Sequence, residues 1–112
     1  MNTIIINLKR ASIDIILLTL LSEKPMYGYQ LAQEIKKRSN YHFSLMEASM
    51  YPVLNRLKDL GDVTTEVVQK TEKAKRVYYH ITDHGRIHLL EMKQVYSDTI
   101  AIINSIINEG ES

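Results

Sequence analysis

The chain has no cysteine and no tryptophan. Without thiols it forms neither disulfides nor thiolate metal sites, so a reducing compartment, the cytoplasm, is the expected location. Long hydrophobic runs are missing as well. The longest, Ile13 to Leu21, is broken by Asp14 and Thr19 and falls well short of the ~20 apolar residues that cross a bilayer as a helix. Met1 to Ile6 carries neither a basic start nor a small-residue cleavage site, so no signal peptide is expected. Only four glycines and two prolines punctuate the chain. They build no glycine-rich phosphate cradle or nucleophile elbow, and no pair of carboxylates is arranged for acid–base work. The expectation is a protein that is not an enzyme and calls for no cofactor.

What is present is ordinary in amount and uneven in placement. A chain of 112 residues, 45% hydrophobic and 24% charged, fits one globular domain with its own core. The formal net charge is only +1, yet residues 83–112 set Arg86 and Lys93 against Asp83, Glu91, Asp98, Glu109 and Glu111, a local charge of −3. The first 82 residues, with 12 cations and 8 acids, therefore carry +4. One part suits a polyanion and the other suits something else.

Apolar spacing orders the elements. Ile13, Ile16, Leu17, Leu20 and Leu21 recur at helical intervals, predicting a first helix over about residues 7–22. Ile15 and Leu18 lie off that stripe, and the excess predicts a second partner for the helix, another subunit. Glu23-Lys24-Pro25-Met26 reads as a turn. A second helix from about Tyr27 places Leu31, Ala32 and Ile35 inward and ends in the solvated cations Lys36, Lys37 and Arg38. In a third helix Met50, Val53, Leu54 and Leu57 face inward and Gly61 is the left-handed stop. Its cap is either Ser44, boxed with Glu47, or Ser49, which would leave Pro52 in the first turn.

Residues 62–68 and 77–81 alternate and are rich in β-branched residues or tyrosine, so they should pair as a hairpin. Their connection holds Lys70, Lys73, Lys75 and Arg76 against Glu72, with neither glycine nor proline, which predicts a longer mobile loop. Tyr78 and Tyr79 point to opposite faces, and one of them should be core. Thr82 then caps a helix running to about residue 108, with residues 109–112 fraying. Leu89, Met92, Tyr96, Thr99, Ile103 and Ile106 fall on heptad a and d positions, with Ile100 and Ile107 alongside. Such a helix is built to pack on another over its whole length.

Three helices, a hairpin and a long helix, in that order, describe a mainly α, α+β winged helix-turn-helix with a C-terminal dimerisation helix. Ser49-Met50-Tyr51-Pro52-Val53-Leu54-Asn55-Arg56-Leu57 resembles the recognition helix of PadR-type transcriptional regulators, which typically read Thr/Ser-Leu-Tyr-Pro-x-Leu-x-Arg-Leu there. Met26-Tyr27-Gly28-Tyr29-x-Leu31 extends the resemblance upstream. Lys73-Ala74-Lys75-Arg76-Val77-Tyr78-Tyr79 stands where relatives have Gly-Arg-Pro-Arg-Lys-Tyr-Tyr, keeping the charge and losing the glycine and proline. The short stretch after Thr82 is similar to the subgroup with a single C-terminal helix.

The resemblance implies a homodimeric repressor on a pseudo-palindromic operator of double-stranded DNA. Residues 1–82 would be the winged-helix DNA-binding region and residues 83–112 the dimerisation helix of one structural domain. On the recognition helix Asn55 and Arg56 suit base edges, whereas Ser49, Tyr51 and Lys58 suit phosphates. Lys73, Lys75 and Arg76 are the wing candidates. Ile13, Leu17, Leu89, Met92, Tyr96, Ile103 and Ile106 are the expected dimer interface. Relatives that bind planar drugs carry an aromatic near the place of Tyr96, so a small aromatic effector at that residue is a further expectation. On the residues alone two rival functions stay open: a protein-interaction module, and a metal-responsive sensor using His80, His84 and His88.

Overall fold

The structure, a computed structural model, describes residues 3–109, with side chains from residue 12 onward. The expected fraying of residues 110–112 and the outer ends of the two expected regions lie outside the described residues. The elements run α1 (Thr3–Glu23), β1 (Met26–Tyr27), α2 (Gly28–Arg38), α3 (Glu47–Asp59), β2 (Val63–Gln69), β3 (Lys75–Ile81) and α4 (Asp83–Ile107).

α1 is the central helix and touches α2, α3, β3 and α4. That position explains its apolar excess. Leu18, which lies off the first stripe, is as fully buried as Leu17, so that part of the surplus is consumed inside one chain. Ile15 and Ile16 remain partly buried and line a groove of about 320 Å³ between α1 and α2. The turn after α1 hides a strand too short to show alternation: Met26 pairs with Tyr79 and Tyr27 with Tyr78, giving a sheet of order β1-β3-β2. Arg38 clamps the end of α2 to the end of α1 through Glu23 and also bonds Glu34.

α3 starts from neither serine proposed as its cap. Met46 is the capping residue, Ser49 N–H already bonds Met46 C=O at 2.9 Å, and Pro52 lies inside the helix rather than in its first turn. Pro52 removes one helical N–H, but Ala48, the residue whose carbonyl loses that donor, is exposed to water. The other end follows expectation. Gly61 has φ of 82°, and Gly61 N–H and Asp62 N–H return to the carbonyls of Lys58 and Leu57.

β2 and β3 pair from Val63 with Ile81 to Gln69 with Lys75. Tyr79 is the core tyrosine, and Tyr78 lies on the opposite face against Tyr27. The connection, residues 70–74, is longer than a two-residue turn, as expected, and it is closed by hydrogen bonds of its own. Lys70 N–H bonds Ala74 C=O, Thr71 Oγ1 accepts from Lys73 and Ala74 N–H, and Gln69 Nε2 donates to the Thr71 and Glu72 carbonyls. Side chains close this turn where glycine or proline would otherwise do so.

Thr82 caps α4 as expected, accepting from Gly85 N–H at 2.9 Å and donating to Gly61 C=O at 2.6 Å. Gly85 is required by proximity, since a Cβ there would sit 2.1 Å from the Asp62 carbonyl oxygen. Only the first turns of α4 pack within the chain, with Leu89 buried and Met92 partly so against the core. From residue 93 to residue 109 every residue is exposed. The arm makes the molecule 64 × 32 × 20 Å with a radius of gyration of 16.2 Å, against about 13 Å for a compact chain of this length.

Candidate nucleic-acid interface

Helical periodicity sets what α3 shows to solvent. Met50, Leu54 and Leu57 are fully buried and Val53 partly so, which turns Ala48, Tyr51, Pro52, Asn55 and Asp59 outward and places Ser49 with Arg56 on one flank and Lys58 on the other. All five residues assigned to this helix, Ser49, Tyr51, Asn55, Arg56 and Lys58, are exposed. They are not equally available. Tyr51 donates to Glu47 Oε2 at 3.0 Å, and this bond, with some burial, holds the phenol above its ordinary pKa and therefore protonated. Arg56 Nη2 donates to both carboxylate oxygens of Asp14 on α1, at 2.6 and 2.7 Å.

The turn of the wing and its flanks carry the second group. Lys73 is exposed in the turn and Lys75 on the first residue of β3. Arg76 folds onto the sheet instead, its guanidinium 4.5 Å from the centroid of Tyr27, and Lys70 lies 5.9 Å from that of Tyr78. Tyr27 also stacks on Tyr29 and meets Tyr78 edge-on. The next residue, Gly28, lies so close to α3 that a Cβ would stand 3.0 Å from Tyr51 Oη and 3.2 Å from Glu47 Oε2. Gly28 packed against Glu47 and Tyr51, and Tyr27 beneath the Arg76 guanidinium, thus link α3 to one of the wing cations.

Two arrangements differ from expectation. Ile13, Leu17 and Leu89, assigned to a dimer interface, are 6%, 0% and 4% exposed within the single chain, because α1 is the core helix and Leu89 sits on it. Tyr96, Ile103 and Ile106, also assigned to that interface, are exposed on the arm, together with Val95, Ile102 and Ile107. The histidines form no common site. His84 and His88 each donate from Nδ1 to the buried Asp62 carboxylate, at 2.9 and 2.6 Å, while His80 stands 3.7 Å from Glu66. Among the described residues no three His, Cys, Asp or Glu side chains are placed to hold a metal ion.

Sequence reasoning missed Asp14, Asp62 and the role of Tyr27. The break that Asp14 makes in an apolar run, and the four-residue spacing of His84 and His88, were the available signals. Their partners lie 42, 22 and 26 residues away in the chain, beyond any local pattern.

A three-helix head with a hairpin wing, a polar third helix and cations beside it defines a winged-helix regulator of the DNA-binding type. Residues 17–91 match the transcriptional regulator PadR-like family, and the chain belongs to that family, whose members regulate transcription and are not enzymes. It is 35% identical over 95 residues to a protein of Lysinibacillus sphaericus described only as uncharacterized protein X, covering 85% of this chain and 87% of that one. A transcriptional regulator from Clostridium thermocellum superposes with a TM-score of 0.82 at 26% identity, covering 88% of this chain and 96% of its own. The Bacillus subtilis PadR protein, solved in complex with operator DNA, superposes with a TM-score of 0.65 at 25% identity over 70% of this chain and 45% of its own. Among the described residues no helix is long and apolar enough to cross a membrane.

Proposed function

We propose that the chain is a sequence-specific DNA-binding regulator, a cytoplasmic repressor acting as a homodimer on a pseudo-palindromic operator. The observation that carries this reading is the exposed polar face of α3 together with the exposed wing cations, of which Arg76 is linked to α3 through Tyr27 and Gly28. α3 enters the major groove, where Asn55 and Arg56 face base edges and Ser49, Tyr51 and Lys58 face phosphates. Lys73, Lys75 and Arg76 contact phosphates or the edge of the minor groove. The operator-bound Bacillus subtilis relative supports the same use of the fold.

Dimerisation rests on the α4 arm. Met92, Tyr96, Ile103 and Ile106, with Ile100 and Ile107, cover an arc of helix that water would not leave unpaired at working concentration. Pairing two arms sets two recognition helices at the spacing of successive major grooves. Tyr96, 50% exposed on the arm, then lines the space between subunits, and a planar aromatic ligand stacking there shifts the spacing if it binds one arrangement more tightly than the other.

A gel shift of the purified protein on the DNA upstream of its own gene, at two salt concentrations, tests the reading. Specific retardation that weakens with salt is the expected result. Retardation equal on upstream and random DNA, or none at all, overturns it. For the effector, phenolic acids or flat cationic dyes should lower operator affinity in the wild type and not in Tyr96→Ala.

A further inference from the structure

We propose that Asp14 is a specificity-determining residue: a carboxylate on α1 that holds Arg56 of the recognition helix away from random DNA and releases it to a cognate base. This rests on the DNA-reading assignment of Arg56. A guanidinium offers two edges with paired donors, Nε with Nη2 and Nη1 with Nη2, and both contain Nη2. Asp14 accepts from Nη2 with both of its oxygens. In this conformation the nitrogen common to both edges already carries the carboxylate, so Asp14 competes with guanine at either edge.

The contact is also placed to be exchanged. Arg56 is 54% exposed and Asp14 28%, on two different helices, and an ion pair this open is weak and screened by salt. A phosphate can also take a paired edge, but it exchanges one anion for another and lies outside the groove, whereas the base edges lie where α3 would present Arg56. A guanine with O6 and N7 in the groove offers both bonds of a paired edge, and that difference separates operator from random sequence. The carboxylate also cancels one positive charge on the reading face, so non-specific binding proceeds with one cation fewer.

The test compares wild type, Asp14→Asn, Arg56→Ala and the double variant on operator and on random duplexes across a salt series. Asp14→Asn should bind random DNA about threefold more tightly and steepen its salt slope by up to ~0.9, the release of about one more counterion. Its operator-to-random ratio should fall, and in the Arg56→Ala background the substitution should do nothing. If Asp14→Asn leaves random-DNA affinity unchanged or lowers it, the latch is wrong and Asp14 is a support for Arg56. If the gain persists without Arg56, it is a general charge effect, and the proposal fails equally. Wild-type protein that does not distinguish operator from random DNA removes the DNA-reading assignment itself, a separate failure.

Discussion

The head of the molecule and its α4 arm are built from similar apolar residues with opposite outcomes. In the head, Leu17, Leu18, Leu31, Met50, Leu54 and Leu57 are fully enclosed by elements of the same chain. On the arm, Val95, Ile102, Ile106 and Ile107 are 59–68% exposed. Apolar periodicity therefore states that a face is to be buried and not by what. The burial of Leu18 shows the same lesson in reverse, since an apolar excess attributed to a partner subunit was taken up by β3, α3 and α4 around a central helix.

The comparison can be broken first on the side of the head. Leu17→Ala opens a cavity where four elements meet and should cost about 2–5 kcal/mol in a urea melt. A cost comparable to that of an exposed arm residue would mean that the head is not the self-sufficient unit described.

Next come the residues proposed to meet DNA. Arg56→Ala should lose ~1–3 kcal/mol on operator and relax preference at one position of each half-site, whereas Lys73→Ala should weaken all sequences alike and flatten the salt slope. Equal losses on operator and random DNA for Arg56→Ala would move it to the phosphate class.

The smallest effect concerns the clamp between α1 and α2. The hydrogen bond from Arg38 holds the Glu23 carboxyl below its ordinary value of 4.5. A lowered carboxyl contributes stability above the unfolded value and loses it as pH falls through the folded one. Glu23→Gln should thus melt slightly below wild type near neutrality and converge with it in acid, and a gap that widened in acid would contradict the sign. Both side chains are open to water, so the difference is slight.

How much of this was legible depended on whether the cause lay nearby in the chain. The Gly61 stop, the Thr82 cap and the alternating strands of the hairpin are local signals, and each is where the residues put it. β1 was invisible because two residues become a strand only through pairing with Tyr78 and Tyr79. The start of α3 defeated the rule for serine caps, because Met46 takes that place while Ser49 lies inside the helix. At the proposed DNA-facing site the exposure of the α3 residues followed from helical periodicity, and the partners of the arginines did not. Arg56 tied to Asp14 and Arg76 laid on Tyr27 are tertiary arrangements that no spacing announces.

The central claim, a self-sufficient head and an arm made for a second copy, is tested most directly by sedimentation of wild type and Ile103→Asp at micromolar concentration, with melting followed in parallel. Ile103 is 44% exposed in the single chain, so a carboxylate there leaves the head intact. The account predicts a wild-type dimer and a variant that sediments as a folded monomer, losing operator affinity with the avidity of two linked half-site contacts. A wild-type monomer, or a variant that remains a dimer, would contradict it.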